Sequence, residues 1–132
     1  MVDIEKIIEY WVQTSDKDYV TASNLFSSQD YHWSLFLGHL VLEKLFKAVY
    51  VQATGQNPPR IHDLVRLCEK CNLTFDDDLL EKLEFITRFN MSVRYPDYQQ
   101  EFYRLCTKEF TQDAFEKIDE VRLWLKSLIK IS

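Results

Sequence analysis

The sequence predicts an all-α fold, an up-and-down bundle of four long helices plus one short helix. Apolar residues recur at steps of three or four along four long segments, which is the spacing of side chains on one face of an α-helix. The chain has only two glycines and three prolines, too few for the many tight turns of a β-sandwich or barrel. It is 46% hydrophobic over 132 residues, so we expect one domain, residues 1–132, with a core of its own.

The first two long helices are predicted over residues 3–28 and 31–53. In the first, the apolar stripe keeps its phase across Ser15 and Asp16, so this possible N-cap is not expected to divide the helix. In the second, Gly38 lies in the middle of the stripe, where the missing Cβ permits another helix to approach closely.

The remaining helices follow the proline pair at residues 58 and 59. A short third helix is predicted from apolar residues at positions 61, 64, 65, 68 and 71. A fourth is predicted over "TFDDDLLEKLEFITRFNMSV", with three aspartates near the positive end of its dipole. Pro96 disfavours helix at and just before it, so we expect a connection over residues 94–108. The last helix is expected to begin with Thr111 as its N-cap.

The charge and the apolar pattern argue against two kinds of binding surface. The formal net charge is −5 and the pI is about 5.2, which is unfavourable for a broad basic surface that captures nucleic acid, although local basic sites remain open. The sequence has no signal-like apolar segment and no run of about 18 apolar residues that would span a bilayer. With three cysteines, we expect a reduced, cytoplasmic setting and no membrane attachment.

Three polar residues of the second predicted helix, His39, Glu43 and Lys47, are spaced four apart and therefore share a face. They could form a charged ladder or ordinary ion pairs on a partly exposed face. Alternatively, Glu43 could face the segment around Arg94 and pair with its guanidinium, since arginine and carboxylate form two parallel hydrogen bonds in a fixed geometry.

The motif "CEKC", Cys68 to Cys71, has the spacing of half a zinc site, and His62 precedes it. Zinc takes four ligands, or three and a water, and both thiols fall on the apolar stripe of the third helix, so we expect packed cysteines and no metal. His62 and Asp63 open that helix, where a side chain can cap free N–H groups or help to bind an anion. No glycine-rich phosphate loop, HExxH or GxSxG motif occurs, and we expect no cofactor.

Two stretches, "YHWSLFLGHLVLEKLFKAVYVQATGQNPPRIHDLVRLC" and "FITRFNMSVRYPD", contain five short motifs in order. These are an aromatic-rich helix, Leu-Glu-Lys-Leu-x-Lys-Ala, a glycine and proline turn, His-Asp-Leu, and Arg-Tyr-Pro-Asp. Together they resemble the HEPN family (higher eukaryotes and prokaryotes nucleotide-binding domain). The resemblance extends over nearly the whole chain, and it implies a bundle of four or five helices that commonly pairs as a homodimer.

The resemblance also implies two competing roles. Many HEPN proteins are metal-independent endoribonucleases with an arginine followed, after a gap of about four to six residues, by a histidine. Others bind nucleotides or act as non-catalytic partners, and many prokaryotic members are paired with an MNT-type nucleotidyltransferase. This sequence has Arg94 at the motif's arginine but no histidine from there to Ser132. Histidine, with an unperturbed pKa of about 6.5, can exchange the 2′-OH proton of RNA, whereas tyrosine, at about 10, is a poor base.

Two hypotheses follow. In the first, the chain is a nucleotide- or RNA-related binding module with a nucleotidyltransferase partner, in a toxin–antitoxin-like or defence system. Its predicted ligand-binding residues are Glu43, Lys47, Arg94, Tyr95 and Tyr98. In the second, it is a ribonuclease toxin in which Arg94 stabilises the phosphate charge and His62 or His39 is the base. The two tyrosines could stack on a base or simply close the core, and a structural dimer without a ligand is a third option.

Overall fold

A computed structural model of the chain describes residues 3–130, without the side chains of residues 91–94. This part of the chain forms six α-helices and no strand, which confirms the all-α prediction. The helices are α1 (Ile4–Ser27), α2 (Tyr31–Thr54), α3 (Leu64–Lys70), α4 (Asp77–Arg94), α5 (Pro96–Leu105) and α6 (Lys108–Leu128). Within the described residues, none of them is both long and apolar enough to cross a membrane.

The ends of α1 and α2 follow from local chemistry. The Asp3 carboxylate accepts a hydrogen bond from the N–H of Lys6 at 3.3 Å and caps α1. This helix then continues through Ser15, as predicted. α2 ends at Thr54, and the φ of 69° at the following Gly55 lies in the left-handed region. The N–H of Gly55 donates to the carbonyl of Val51 at 2.8 Å.

The structure corrects the prediction for residues 94–108. α4 ends at Arg94, as Pro96 indicated, but the ten residues Pro96–Leu105 form the helix α5 instead of an irregular connection. Pro96 is the first residue of α5, because its fixed φ suits a helix and its missing N–H is not needed there. The bundle therefore has two short helices and not one.

The prediction that Thr111 caps the last helix is wrong. α6 begins four residues earlier, with Thr107 as its N-cap and the Thr107 Oγ1 accepting from the N–H of Phe110 at 3.1 Å. Thr111 is fully buried one turn further on, and its Oγ1 donates to the carbonyl of Thr107 at 2.7 Å. Threonine is a suitable N-cap residue at either position. In the structure Thr107 takes this role, and Thr111 is buried inside the helix.

α2 lies at the centre of the bundle, packed by α1, α3, α4 and α6. The close approach expected at Gly38 is confirmed, because a Cβ on this residue would lie 2.6 Å from Cδ1 of Ile118 on α6. On the other side of α2, small residues bring α1 close. Ser15 Oγ donates to the Val41 carbonyl at 3.0 Å, and Ser34 Oγ donates across the same contact to α1 at 2.7 Å. Because α2 is enclosed in this way, its polar residues must find partners inside the protein.

Candidate functional site

The backbone at the start of α3 is held from two directions. The Asp63 carboxylate caps α3 by accepting from the N–H groups of Val65 at 2.9 Å and Arg66 at 3.2 Å. The N–H of Leu64 donates to Thr87 Oγ1 on α4 at 3.1 Å. The capping role predicted for this position is thus confirmed for Asp63. The side chain of the neighbouring residue, His62, contacts α2 instead.

His62 is bound by two residues of α2. Its Nδ1 lies 2.5 Å from Oε1 of Glu43, and its carbonyl oxygen lies 2.9 Å from Nε2 of His39. Glu43 is 3% exposed, whereas the His62 side chain is 43% exposed. A buried carboxylate therefore holds the Nδ1 of a ring that is partly exposed at the surface.

The two contacts also fix where protons lie. A carbonyl oxygen only accepts, so the Nε2 of His39 donates to it. An ionised Glu43 likewise only accepts, so the Nδ1 of His62 carries a proton and the Nε2 of a neutral His62 has a free lone pair. Such an imidazole can accept a proton from a bound hydroxyl or, when charged, contact an anion.

The charged ladder considered for His39, Glu43 and Lys47 is not formed. His39 and Glu43 are buried and make their contacts with the start of α3. Lys47 turns towards α1, where its Nζ lies 5.1 Å from the ring centroid of Trp11 in a cation–π contact. The three residues share a helix, but the structure does not bring Lys47 to the Glu43 and His62 pair.

Tyr95 and Tyr98 lie at the surface at the start of α5. Their rings meet edge to face with centroids 6.0 Å apart, and they are 52% and 54% exposed. The core is closed instead by Phe102 of the same helix, whose ring lies 5.3 Å from that of Phe89 on α4. The alternative that the two tyrosines close the core is therefore wrong.

Arg94 is the last residue of α4, directly before the two tyrosines. Its side chain lies outside the described residues, so the proposed pairing with Glu43 stays a prediction. The partner that the structure gives to Glu43 is His62.

The two cysteines of "CEKC" are packed in the core, as predicted. Cys68 is fully buried and Cys71 is 5% exposed, and the Sγ of Cys71 donates to the Phe46 carbonyl at 3.4 Å. Burial raises the pKa of Cys68 to about 11 and that of Cys71 to about 12, which keeps both as neutral thiols. Between residues 3 and 130, no group of three or more histidine, cysteine or acidic side chains is arranged to hold a metal ion.

The sequence also contains a buried histidine that pattern reasoning did not single out. His32, the second residue of α2, is 7% exposed, and its Nε2 has no hydrogen-bond partner among the described residues. Burial lowers the pKa of this side chain, while Asp30 acts in the opposite direction. The signal in the sequence is a histidine at the start of a strongly apolar helix, two residues after Asp30.

Comparison with known proteins gives consistent results. The sequence model of the HEPN domain matches residues 8–128. Among solved structures, the chain is similar to TT1696 from Thermus thermophilus, with 18% identity and a TM-score of 0.77, over 92% of this chain and 98% of that one. It is also similar to ST0689, described as an archaeal HEPN homologue, with 25% identity and a TM-score of 0.73, over 93% of this chain and 98% of that one. No curated protein matches the sequence.

Proposed function

The chain belongs to the HEPN domain family, and from that premise we propose that it is a binding module for a nucleotide or a short single-stranded RNA. The family is generally nucleotide- or RNA-related. The observation that carries the proposal is the exposed pair of Tyr95 and Tyr98, which follows Arg94 directly in the chain. Exposed aromatic rings stack on bases, and each stacked base contributes about 1–3 kcal/mol to binding.

The charge of the molecule supports a small ligand. At a net charge of −5, the protein would repel a long duplex, whereas a short single strand or a nucleotide needs only a local cation. Arg94 is the predicted source of that cation. Glu43 would contribute to ligand binding indirectly, by holding His62. Lys47 contacts Trp11 and would have to break that contact to reach the same ligand.

The proposal is tested by titrating a labelled short oligoribonucleotide in EDTA and following its fluorescence anisotropy. We expect Tyr95→Ala combined with Tyr98→Ala to weaken binding about tenfold or more, because stacking is lost. Tyr10→Ala is the matched control, since Tyr10 is 57% exposed on α1 and is not part of the proposed site. Equal affinity of the double variant and the control would contradict the proposal.

We further propose that the module works as a homodimer, with an MNT-type nucleotidyltransferase as its partner, in a toxin–antitoxin-like or defence system. The support is the family: HEPN members often dimerise. Light scattering of the purified 15.9 kDa chain measures the first claim directly, and co-purification with a co-expressed MNT-type nucleotidyltransferase measures the second. A monomer at all concentrations would contradict the dimer.

The contact between Glu43 and His62 favours a second candidate function, metal-independent RNA cleavage. In this reaction the 2′-oxygen attacks the adjacent phosphorus, the bond to the 5′-oxygen breaks, and a 2′,3′-cyclic phosphate and a 5′-hydroxyl are formed. His62 Nε2 would take the proton of the 2′-OH, and the leaving 5′-oxygen would receive a proton from the imidazolium or from water. Glu43 would orient the ring and stabilise its charged form, and Arg94 would stabilise charge on the phosphate.

Cleavage is tested by incubating a mixed RNA pool with the protein in EDTA and reading the products on a gel. If the chain is a ribonuclease, we expect His62→Gln and Arg94→Ala to abolish cleavage and Glu43→Gln to slow it by about 100-fold or more. Glu69→Gln, which alters an exposed carboxylate of α3, should leave cleavage unchanged. If the wild type does not cleave RNA, this candidate is excluded and binding remains.

A further inference from the structure

A groove of about 430 Å³ lies between the end of α1 and one face of α6, two helices that both pack on α2. Its α1 side is formed by residues 23, 26 and 27, and its α6 side by residues 112, 115, 116 and 119. These spacings of three and four place each set on one face of its helix. All the lining residues belong to α1 and α6, so the groove is separate from the tyrosine pair to which the proposed function assigns base stacking.

Two aromatic rings form the apolar part of the lining. The rings of Phe26 on α1 and Phe115 on α6 have centroids 6.2 Å apart. Each is held by a further ring, since Tyr31 lies 5.5 Å from Phe26 and Tyr19 lies 5.7 Å from Phe115. The face of an aromatic ring carries partial negative charge and attracts a cation. The two helices are therefore joined by rings that suit a ligand with both apolar and positive groups.

The charged side chains of the lining are both negative, Glu116 and Asp119. Glu116 is exposed, and it has no ion-pair partner in the part of the chain that the structure describes. The groove also adjoins the last turn of α1, which contains no basic residue. The negative end of this 24-residue helix is therefore not balanced by a cation of its own. All three features favour a positively charged ligand.

One end of the groove shows how the protein itself holds a cation. The Cζ of Arg122 lies 3.8 Å from the centroid of the Tyr19 ring, and its Nη1 lies 3.3 Å from Oδ1 of Asp119. An aromatic face and a carboxylate thus bind the guanidinium together. One turn earlier on α6, Phe115 and Glu116 provide the same two kinds of group. Because Arg122 already compensates Asp119, Glu116 is the main charged group that the groove offers to a ligand.

The remaining polar groups of the lining are hydrogen-bond acceptors spread along the groove. The hydroxyl oxygens of Ser23 and Ser27 and the side-chain carbonyl of Gln112 can each accept from an ammonium group. On α6 alone, the lining residues extend over about 10 Å of the helix axis. Two rings beside a line of acceptors suit an extended amine, whereas a compact quaternary ammonium is bound by a cage of rings.

We propose that this groove is a binding site for a linear aliphatic polyamine. One ammonium group pairs with Glu116, and a second donates to the serine hydroxyls at the end of α1. The methylene groups between them lie against Phe26 and Phe115, which removes apolar surface from water. A volume of about 430 Å³ is within the range of small-molecule sites. The site contains neither Tyr95 nor Tyr98, so it stands or falls independently of the proposed function.

The first test is isothermal titration of the protein with spermidine at low and at physiological salt. We expect wild type to bind, with lower affinity at the higher salt because the ion pair is screened. Glu116→Gln should weaken binding about fivefold, through loss of that pair. Glu84→Gln is the matched control: it removes one negative charge from an exposed position on α4, so it separates the groove from general attraction to a protein of net charge −5.

A second variant tests the contribution of the rings. Phe26→Leu keeps an apolar side chain but removes the aromatic face, and we expect spermidine to bind about threefold more weakly. In NMR spectra, spermidine should shift the backbone amides of residues 23–27 and 112–119 of the wild type. Tetramethylammonium, which has a similar charge centre but no chain to extend along the groove, should bind much more weakly than spermidine.

The proposal is overturned if wild type does not bind spermidine, or if Glu116→Gln and Glu84→Gln bind it equally well. Tetramethylammonium binding as tightly as spermidine would also contradict a site for linear amines. Glu116 is exposed, so its substitution leaves the core untouched and the result does not depend on folding. The variant with both Tyr95→Ala and Tyr98→Ala should retain spermidine binding, and loss of binding there would place the amine at the tyrosine pair and not in this groove.

Discussion

At the scale of single residues, the polar groups of α2 show how burial selects partners. Glu43 is 3% exposed, and a carboxylate in that position is costly unless a hydrogen-bond donor reaches it. His62 reaches it from the start of α3, and His39 holds the backbone of the same residue. His32, on the same helix, has no hydrogen-bond partner for its Nε2 among the described residues, and burial lowers its pKa.

The lowered pKa of His32 predicts a dependence of stability on pH. Burial is the main cause of the shift, so the folded protein binds the proton less tightly than the unfolded chain. The contribution to stability is complete above the unfolded pKa of about 6.5 and declines as the pH falls below it. Urea unfolding between about pH 8 and about pH 5 should therefore show a smaller decrease in the free energy of unfolding for His32→Phe than for wild type. Parallel pH profiles would contradict this assignment.

At the scale of elements, the two short helices depend on their neighbours. α3 has seven residues, far fewer than an isolated helix needs in water. The Asp63 cap, the contact of Leu64 with Thr87, and the burial of its apolar side hold it in place. α5 contains no buried residue, and its partly buried Phe102 is the main contact with the core. Most residues of α5 are therefore exposed to solvent.

The cysteines of α3 and the one that follows α5 should be unreactive in the folded protein. Burial raises the pKa of Cys68 to about 11 and those of Cys71 and Cys106 to about 12, and the reactive species is the thiolate. With a disulfide reagent at about pH 8, we expect no rapid reaction before denaturant is added and three thiols afterwards. An added exposed thiol, Ser127→Cys, is the positive control.

The same shifts have a consequence for stability in alkali. The folded state retains these thiol protons at pH values where the unfolded chain, with a thiol pKa of about 8.5, releases them. The stabilising effect is thus complete below that pH and decreases as the pH rises through it.

Rapid labelling of Cys68 or Cys71 in the native state would show that α3 opens and would contradict the packed arrangement.

At the scale of the whole molecule, α2 sets the distances between the other helices. Gly38 allows α6 to approach until Ile118 occupies the space of the absent Cβ, and Ser15 and Ser34 allow the same for α1. These contacts are close because the residues are small. They determine where the long helices lie and hence how the start of α3 meets Glu43.

We predict that Gly38→Ala lowers the free energy of unfolding by about 1 kcal/mol, because the new Cβ would lie 2.6 Å from Cδ1 of the buried Ile118. In the Ile118→Val background, which lacks that Cδ1, the same substitution should be neutral or stabilising, since alanine favours helix over glycine by about 1 kcal/mol. Denaturant titration of the four proteins in this double-mutant cycle measures the coupling. Additive effects would show that the contact does not limit the approach of α6.

Prediction from sequence succeeded where structure is local. The long helices and α3 follow from apolar spacing, and the end of α4 follows from Pro96. α5 was missed because a short, polar segment that opens with proline also fits a connection, and the cap of α6 was misplaced because Thr107 and Thr111 are equally suitable by type. His62 and Glu43 were singled out separately, but their contact joins segments 19 residues apart and cannot be read from either one.

The helical class of this protein follows from its amino-acid sequence alone. Both signals used to predict it, the spacing of apolar residues and the hydrogen bonds of capping residues, involve residues that are only a few positions apart in the chain. The packing of the helices was needed to establish that Glu43 pairs with His62, that Tyr95 and Tyr98 face solvent, and that the buried Nε2 of His32 has no hydrogen-bond partner in the part of the chain that the structure describes. Those facts depend on the angles and distances at which whole helices pack, and these are set by side-chain volumes far apart in the chain.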